Sequence, residues 1–368
     1  MSYNFEWFID ANIASDVFLR KPLPPLLKWP GGKTSEFSGL KGVLPLAIRN
    51  YYEPFLGGGA IWLATLPTQP SFVNDICEDL MDFYRHIQKR DPLFFESIQI
   101  MSAAWDYLSQ VAIEQFRTIY TENLTLDPKD LAPFTLLGDA TPTVNRTLRC
   151  KIQRVRFVEK HAGSPLTDDE LRPNVESALK AAYYTYVRET YNKHQIRDGL
   201  RSAAFYFLRD YCFSSMFRSG SHGFNVPYGG LSYNARSPAA RVETWLSEPV
   251  QEKLARATFR NKDFEGFLDE FSPGAEDFLF VDPPYDSTFS TYAGNTFDQA
   301  DQRRLADYLI RSKAQFLAVV KSTEFTRDLY MGHESKGIQV HSQDKSYAVS
   351  FRDRNDRKTQ HLLVYRTN

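Results

Sequence analysis

The same strand-and-helix grammar occurs twice in this 368-residue chain, with a stretch of a different kind between the two. NYYEPF (50–55) reads as a short strand running into Gly57-Gly58-Gly59, and AIWLATL (60–66) as the start of a helix. SFVNDI (71–76) is a second apolar strand, closed by Asp75, and Glu78 to Arg90 has helical spacing. The grammar resumes with the buried-type strand DFLFVD (277–282), a helical pattern over 298–312 and a further buried strand, QFLAVV (315–320). IQVHS (338–342) and HLLVYR (361–366) close it as an antiparallel pair. Strands that alternate with helices predict an α/β fold with a largely parallel sheet. Residues 93–201 instead hold long helical stretches with polar turns, such as TLLGDATPTVN and AGSPLTDDELRPN. The expected organisation is therefore an N-terminal extension (1–20), a sheet-bearing domain (21–92 and 202–368) and a mostly helical insert (93–201).

Bulk charge excludes a uniformly basic polyanion binder. The chain has 44 Lys and Arg against 45 Asp and Glu, so a nucleic-acid surface has to be local. Residues 145–162 offer either such a patch or a plain solvated face: Arg146, Arg149, Lys151, Arg154, Arg156 and Lys160 meet only Glu159. The run YYTYVRETYNKHQIRDGLR (183–201) interleaves cations with rings, which suits phosphate neutralisation and groove contacts. Tyr183, Tyr184 and Tyr191, at helical spacing, fit a helix core better than base wedges. Cys77, Cys150 and Cys212 are too far apart for a disulfide framework or a cysteine zinc site, and they fit a reducing compartment. Seven histidines show no ligand spacing, so no metal is expected. MSYNFEWFID lacks the basic start and apolar core of a signal peptide, and no apolar run approaches the ~20 residues that cross a bilayer. A cytoplasmic globular protein with no membrane partner is expected.

Three segments invite a chemical reading. PGGKTS (30–35) fails as a phosphate loop, because the first glycine of that motif would fall on Leu27 and prolines crowd the preceding segment. EPFLGGG (53–59) places glycines directly after a strand, where they let a backbone approach a ligand and turn into a helix; a tight turn with no ligand is the alternative. Asp75 follows Gly57 by 18 residues, near the ~20-residue offset at which an acidic side chain meets ribose hydroxyls. Residue 62 is Trp62 rather than the last glycine of a dinucleotide loop, so a cofactor with adenosine but no phosphates suits the turn better.

Asp282-Pro283-Pro284-Tyr285, at the carboxyl end of a strand, is the sharpest of the three. It suits attack by an exocyclic amine, whose lone pair is delocalised into its ring. A carboxylate (Asp282) and a proline carbonyl (Pro283) that accept the amine protons draw the nitrogen toward tetrahedral geometry. Tyr285 offers a flat face on which a base can stack.

KWPGGK (28–33), EPFLGGGA (53–60), FNVPYG (224–229) and DPPY (282–285), in this order, closely resemble the DNA adenine methyltransferases of the Dam-like family. The likeness covers about 20–90 and 202–330 well, the tail more loosely and the insert hardly at all. It implies a Rossmann-like methyltransferase sheet with an inserted helical DNA-recognition domain, S-adenosylmethionine as cofactor, and N6-methyladenine in double-stranded DNA as product. By the same likeness Trp29 and Lys33 flank the methionine end of the cofactor, Lys33 as a partner for its carboxylate. Phe55, Gly57 and Gly59 line the loop, and Asp75 holds the ribose. Asp263 and Phe264, in RNKDF, fall where the family contacts the cofactor's adenine, a plain surface aspartate being the alternative for Asp263. Asp282, Pro283 and Tyr285 receive the flipped base, with Asp282 also bordering the cofactor. FRSGSHGFNVPYGG, including Arg218 and Asn225, matches a segment that faces DNA. With Arg146, Arg149, Arg154 and Arg156 it completes the expected DNA-binding set.

The methyl group is expected to move in one in-line step with no covalent enzyme intermediate, and the chain contains no Pro-Cys dipeptide. Two rivals stand beside this reading. One keeps fold and cofactor but changes the acceptor to cytosine N4, an RNA adenine or a protein amide. The other is a catalytically silent DNA-binding homologue. Asp rather than Ser or Asn at the head of DPPY argues, by resemblance, against cytosine and glutamine acceptors. Intact Lys33, Asp75, Asp282 and Tyr285 argue against silence.

Overall fold

The computed structural model describes residues 22–29, 33, 37–45, 47–66, 69–193, 196, 198–216, 218–220, 223–284, 297–346 and 358–367. The expected extension 1–20 and Tyr285 lie outside them. The chain divides into two compact units, one built on Trp29–Met81 and Glu248–Asn368, the other on Asp82–Ser247.

In the first unit, seven strands form one sheet: β1 (Tyr51–Glu53), β2 (Ser71–Asn74), β3 (Ala257–Arg260), β4 (Phe278–Val281), β5 (Gln315–Lys321), β6 (Gln339–Ser346) and β7 (Lys358–Arg366). Their order is β3-β2-β1-β4-β5-β7-β6. The first five are parallel, in register at Tyr51↔Ser71, Ser71↔Ala257, Tyr51↔Phe278 and Phe278↔Gln315. β7 runs antiparallel between β5 and β6, pairing Phe316↔Arg366 and Val340↔Val364. β4 is buried along its whole length, and β5 from Gln315 to Val320, which is why both read as unbroken apolar runs rather than alternating ones. Each large side chain buried there contributes about 1.5–3 kcal/mol. This is the mixed α/β, Rossmann-like methyltransferase sheet that the motifs implied. Its order reverses between β1 and β4, and open α/β sheets bind ligands in the crevice at such a reversal.

Two helices of this unit start on aspartate caps. Asp263 accepts from the Glu265 amide ahead of Phe264–Phe271, and Asp298 with Asp301 forms a capping box ahead of Gln299–Arg311. One expectation is corrected: AIWLATL does not begin an α-helix but makes a single 3-10 turn, Trp62–Ala64. The cause is local. Thr65 leaves the turn extended, its hydroxyl donates to the Trp62 carbonyl at 2.7 Å, and Pro67 disfavours the helical region at residue 66.

The second unit is helical, with Pro92–Glu122, Thr141–Ala162, Asp168–Asn192 and Asp198–Tyr211 as its long members. Asp91 caps the first through the Phe94 amide, Gly163 (φ 74°) ends the second, and a Thr167–Glu170 capping box starts the third. Asp198–Tyr211 packs through its rings on two of the others, with Trp105–Tyr211 at 4.6 Å, Trp105–Phe207 at 5.4 Å and Tyr184–Phe207 at 6.2 Å. That packing draws residues after 201 into the helical unit, whereas the composition shift had placed its border near 93 and 201. Tyr183, Tyr184 and Tyr191 are buried, in keeping with the core reading. Among the described residues no helix is long and apolar enough to cross a membrane.

Candidate active site

The glycine turn after β1 is fixed from three sides. Gly57 adopts φ 49° and Gly59 φ 64°, conformations that cost a side-chain-bearing residue. A Cβ on Gly57 would also fall 2.8 Å from Cδ1 of Trp29, so the indole closes over the turn only because nothing projects there. From below, Asp75 accepts the Gly57 N–H at 2.9 Å with one carboxylate oxygen and the Cys77 N–H at 2.9 Å with the other. Asn74, wholly buried, ties the turns after β1 and β3 together. Its amide donates to the carbonyls of Pro54 and Lys262 at 3.0 Å and accepts the Lys262 N–H at 2.9 Å.

Across the reversal point, Asp282 follows β4 and is paired with Lys33 at 2.7 Å; the ammonium is 3% exposed and the carboxylate 19%. The expectation for Lys33 named only a cofactor carboxylate; the structure puts the head of the DPPY motif against the same ammonium. Pro283 is buried and Pro284 half-buried. Glu53, at the end of β1, is buried and accepts from the Tyr51 hydroxyl at 2.7 Å and from the Trp62 N–H. Burial, reinforced by the charge of Asp282, lifts its carboxyl well above the usual range despite those donors and the more distant Lys253. Glu53 is thus a buried carboxyl whose charged form is disfavoured, whereas Asp282 has the Lys33 ammonium as its partner.

Lys253 lies beneath the same turn, fully buried, donating to the Thr65 hydroxyl and reaching the Leu66 carbonyl at 3.5 Å, with the Trp62 ring 5.6 Å away. Burial lowers its pKa to about 7, against a raising pull from Glu53. Between about pH 7 and the ordinary lysine value, the unfolded chain holds a proton that the folded chain has released, so stability gained at high pH is lost as pH falls toward 7. Urea unfolding of wild type and Lys253→Met across that window should show the wild-type stability climbing with pH relative to the variant. Parallel curves would contradict the burial argument.

Asp263 caps its helix and is bonded by Arg304 at 2.8 Å; Arg304 also lies over the Phe264 ring at 4.7 Å. Phe264 is buried and packs on Phe55 at 5.5 Å, so both rings support the sheet edge from within. Sequence reasoning passed over Asn74, Lys253 and Ile76. Ile76 directly follows Asp75 and is 48% exposed, an apolar side chain left uncovered at the carboxyl edge. An isoleucine one residue past the strand's acid was the available signal.

In the second unit, Thr141–Ala162 buries Val144, Leu148 and Ile152 and leaves Arg149, Lys151, Arg154 and Lys160 exposed. Arg146 is committed to Glu189 at 2.7 Å, Arg154 lies over Phe157 at 5.0 Å, and Arg156 donates to the Tyr120 carbonyl. Arg218 and Asn225 are exposed at the foot of a hairpin, Ser219–Gly220 with Gly223–Phe224, joined by the Asn225 N–H to the Arg218 carbonyl at 3.2 Å. Gly223 (φ 88°) is held against Asn192, whose amide bonds the Phe224 N–H and carbonyl at 2.9 and 2.8 Å. Among the described residues no group of three or more His, Cys, Asp or Glu comes together as a metal site.

The carboxyl edge of the sheet thus carries a glycine cradle on one side of the reversal and an Asp-Pro-Pro turn on the other. Over residues 29–130 and 166–349 the chain matches the D12 class of N6 adenine-specific DNA methyltransferases, and it belongs to that family. It is 24% identical over 348 residues to the type II methyltransferase M.CviBI of Paramecium bursaria Chlorella virus NC1A, covering 93% of this chain and 99% of the relative. It is 28% identical over 334 residues to the type II methyltransferase M.MjaIII of Methanocaldococcus jannaschii, covering 85% and 90%. To the retron Ec67 DNA adenine methylase of Escherichia coli the figures are 26% over 311 residues, 83% and 80%.

Proposed function

We propose that this adenine-specific DNA methyltransferase takes its methyl group from S-adenosylmethionine, bound over the turns after β1 and β2, and delivers it to an adenine flipped out of duplex DNA in the cytoplasm. The carrying observation is the placement of Asp282, held by Lys33 at 2.7 Å, across the strand reversal from the Gly57–Asp75 cradle.

The residues fit that cofactor. Gly57 and Gly59 leave room for it to approach, and Trp29 closes one side. Asp75, already oriented by two N–H donors, faces the ribose, and the exposed Ile76 gives the adenine ring an apolar bed. Asp263 meets the adenine amine with Phe55 and Phe264 packed behind, and Lys33 serves the methionine carboxylate while it neutralises Asp282. When bound, the sulfonium supplies a methyl group already activated for transfer. The protein's part is then positioning and polarisation. Asp282 accepts one proton of the target amine and the Pro283 carbonyl the other, which turns the nitrogen lone pair out of the ring plane. Tyr285 stacks on the base, whose extrusion costs a few kcal/mol. Arg149, Arg154, Arg218 and Asn225 face DNA from the helical unit, with Arg146 and Arg156 contributing beside their internal partners.

The test is to incubate the purified protein with unmethylated duplex DNA and S-adenosylmethionine, digest to nucleosides and weigh the products. N6-methyladenine is the expected product. Methylated cytosine would move the acceptor, and the absence of any methylated base with cofactor binding intact would favour an RNA substrate or a silent binding protein.

A further inference from the structure

In the helix Gln299–Arg311 the buried side chains form one stripe, Gln302, Leu305, Ala306 and Leu309. The last three join the apolar core with β4 and β5, whereas the first is an amide only 2% exposed. An apolar residue would fill that place with no polar atom to satisfy, so a buried amide there calls for a reason. Its Nε2 donates to the Pro284 carbonyl at 3.2 Å. Its Oε1 is buried with no hydrogen-bond partner among the described residues. The donor is delivered by a rigid first turn, because the Gln302 N–H bonds the Asp298 carbonyl at 3.0 Å and the Asp298–Asp301 box sets where the helix begins. Pro283 and Pro284 have no N–H with which to anchor themselves, so the turn that follows Asp282 has to be held by its carbonyls.

We propose that Gln302 is a positioning residue for methyl transfer: by holding the Pro284 carbonyl it aims the neighbouring Pro283 carbonyl and the Asp282 carboxylate at the target amine. This rests on the reading of Asp282 and Pro283 as the amine's acceptors. Gln302→Met keeps the length of the side chain and removes both polar atoms. Gln302→Glu keeps the shape but donates to Pro284 only when protonated.

On a duplex that the wild type methylates at adenine, single-turnover transfer by Gln302→Met should fall about 10- to 100-fold, the scale of a misplacement near one ångström, with cofactor and DNA dissociation constants within about twofold. For Gln302→Glu, the rate relative to wild type should climb as pH drops from about 8 to about 6, since burial raises a carboxyl's pKa into that range. Wild-type rates in Gln302→Met, a pH-independent ratio in Gln302→Glu, or a loss that merely tracks cofactor affinity or melting temperature would each overturn the proposal. A wild type that methylates no adenine in any duplex overturns the reading of the site, and the proposal with it.

Discussion

Asp282→Ala should lower single-turnover methyl transfer by roughly a thousandfold or more, the upper range for loss of one preorganised polar group at a reacting centre. The S-adenosylmethionine dissociation constant should move by less than about tenfold, because on the proposed reading Asp282 acts on the amine and only borders the cofactor. The variant also takes a carboxylate away from a buried ammonium. Lys33 is 3% exposed and paired with Asp282 at 2.7 Å, and breaking a buried pair by removing one partner costs up to about 3–5 kcal/mol, less here because the carboxylate is partly exposed. Lys33→Met combined with Asp282→Ala should therefore recover stability without recovering rate. Quench-flow on the two variants, with melting curves alongside, separates these effects. Full activity in Asp282→Ala would remove the carboxylate from the mechanism.

Asp75→Ala should do the reverse. Asp75 accepts the Gly57 and Cys77 N–H groups, so the substitution loosens the cradle and, on the proposed reading, removes the ribose partner as well. Hydrogen bonds to a charged group are worth about 1.5–3 kcal/mol, which predicts a cofactor dissociation constant weakened by about 100-fold. The rate at saturating cofactor should fall far less. Asp75→Asn should lie between, since its amide oxygen keeps one acceptor while its NH2 faces an N–H that it cannot bond. Calorimetric titration with S-adenosylmethionine decides it, and an unchanged constant would take Asp75 out of the site.

Much of the sheet-bearing unit was legible because its signals are local. The apolar runs of β4 and β5, the glycines after β1 and the acids at strand ends each depend on near neighbours, and each was found where it was expected. AIWLATL reads as a helix start because a short apolar run does not distinguish one turn from four; the hydroxyl of Thr65, bonded to the Trp62 carbonyl, closes the turn. The Asn74 clamp and the Lys33–Asp282 pair join residues far apart in the chain. No periodicity or spacing rule reports such pairs. The contacts of Asp198–Tyr211 are hidden from the sequence for a similar reason, because its rings find partners in helices that begin long before them.

The clamp at Asn74 has a consequence for how this chain is made. Its partner Lys262 is 188 positions later, and β1 and β2 have no other sheet neighbours until β3 and β4 are synthesised. At ribosomal speeds of about 5–20 residues per second, the first two strands wait roughly ten to forty seconds with both flanks unpaired. The helical segment emerges during that interval, and its contacts are closer in sequence, so it can condense first. The sheet-bearing unit is thus the last part to become whole, and the nascent β1–β2 pair is the stage at which a chaperone has most to protect.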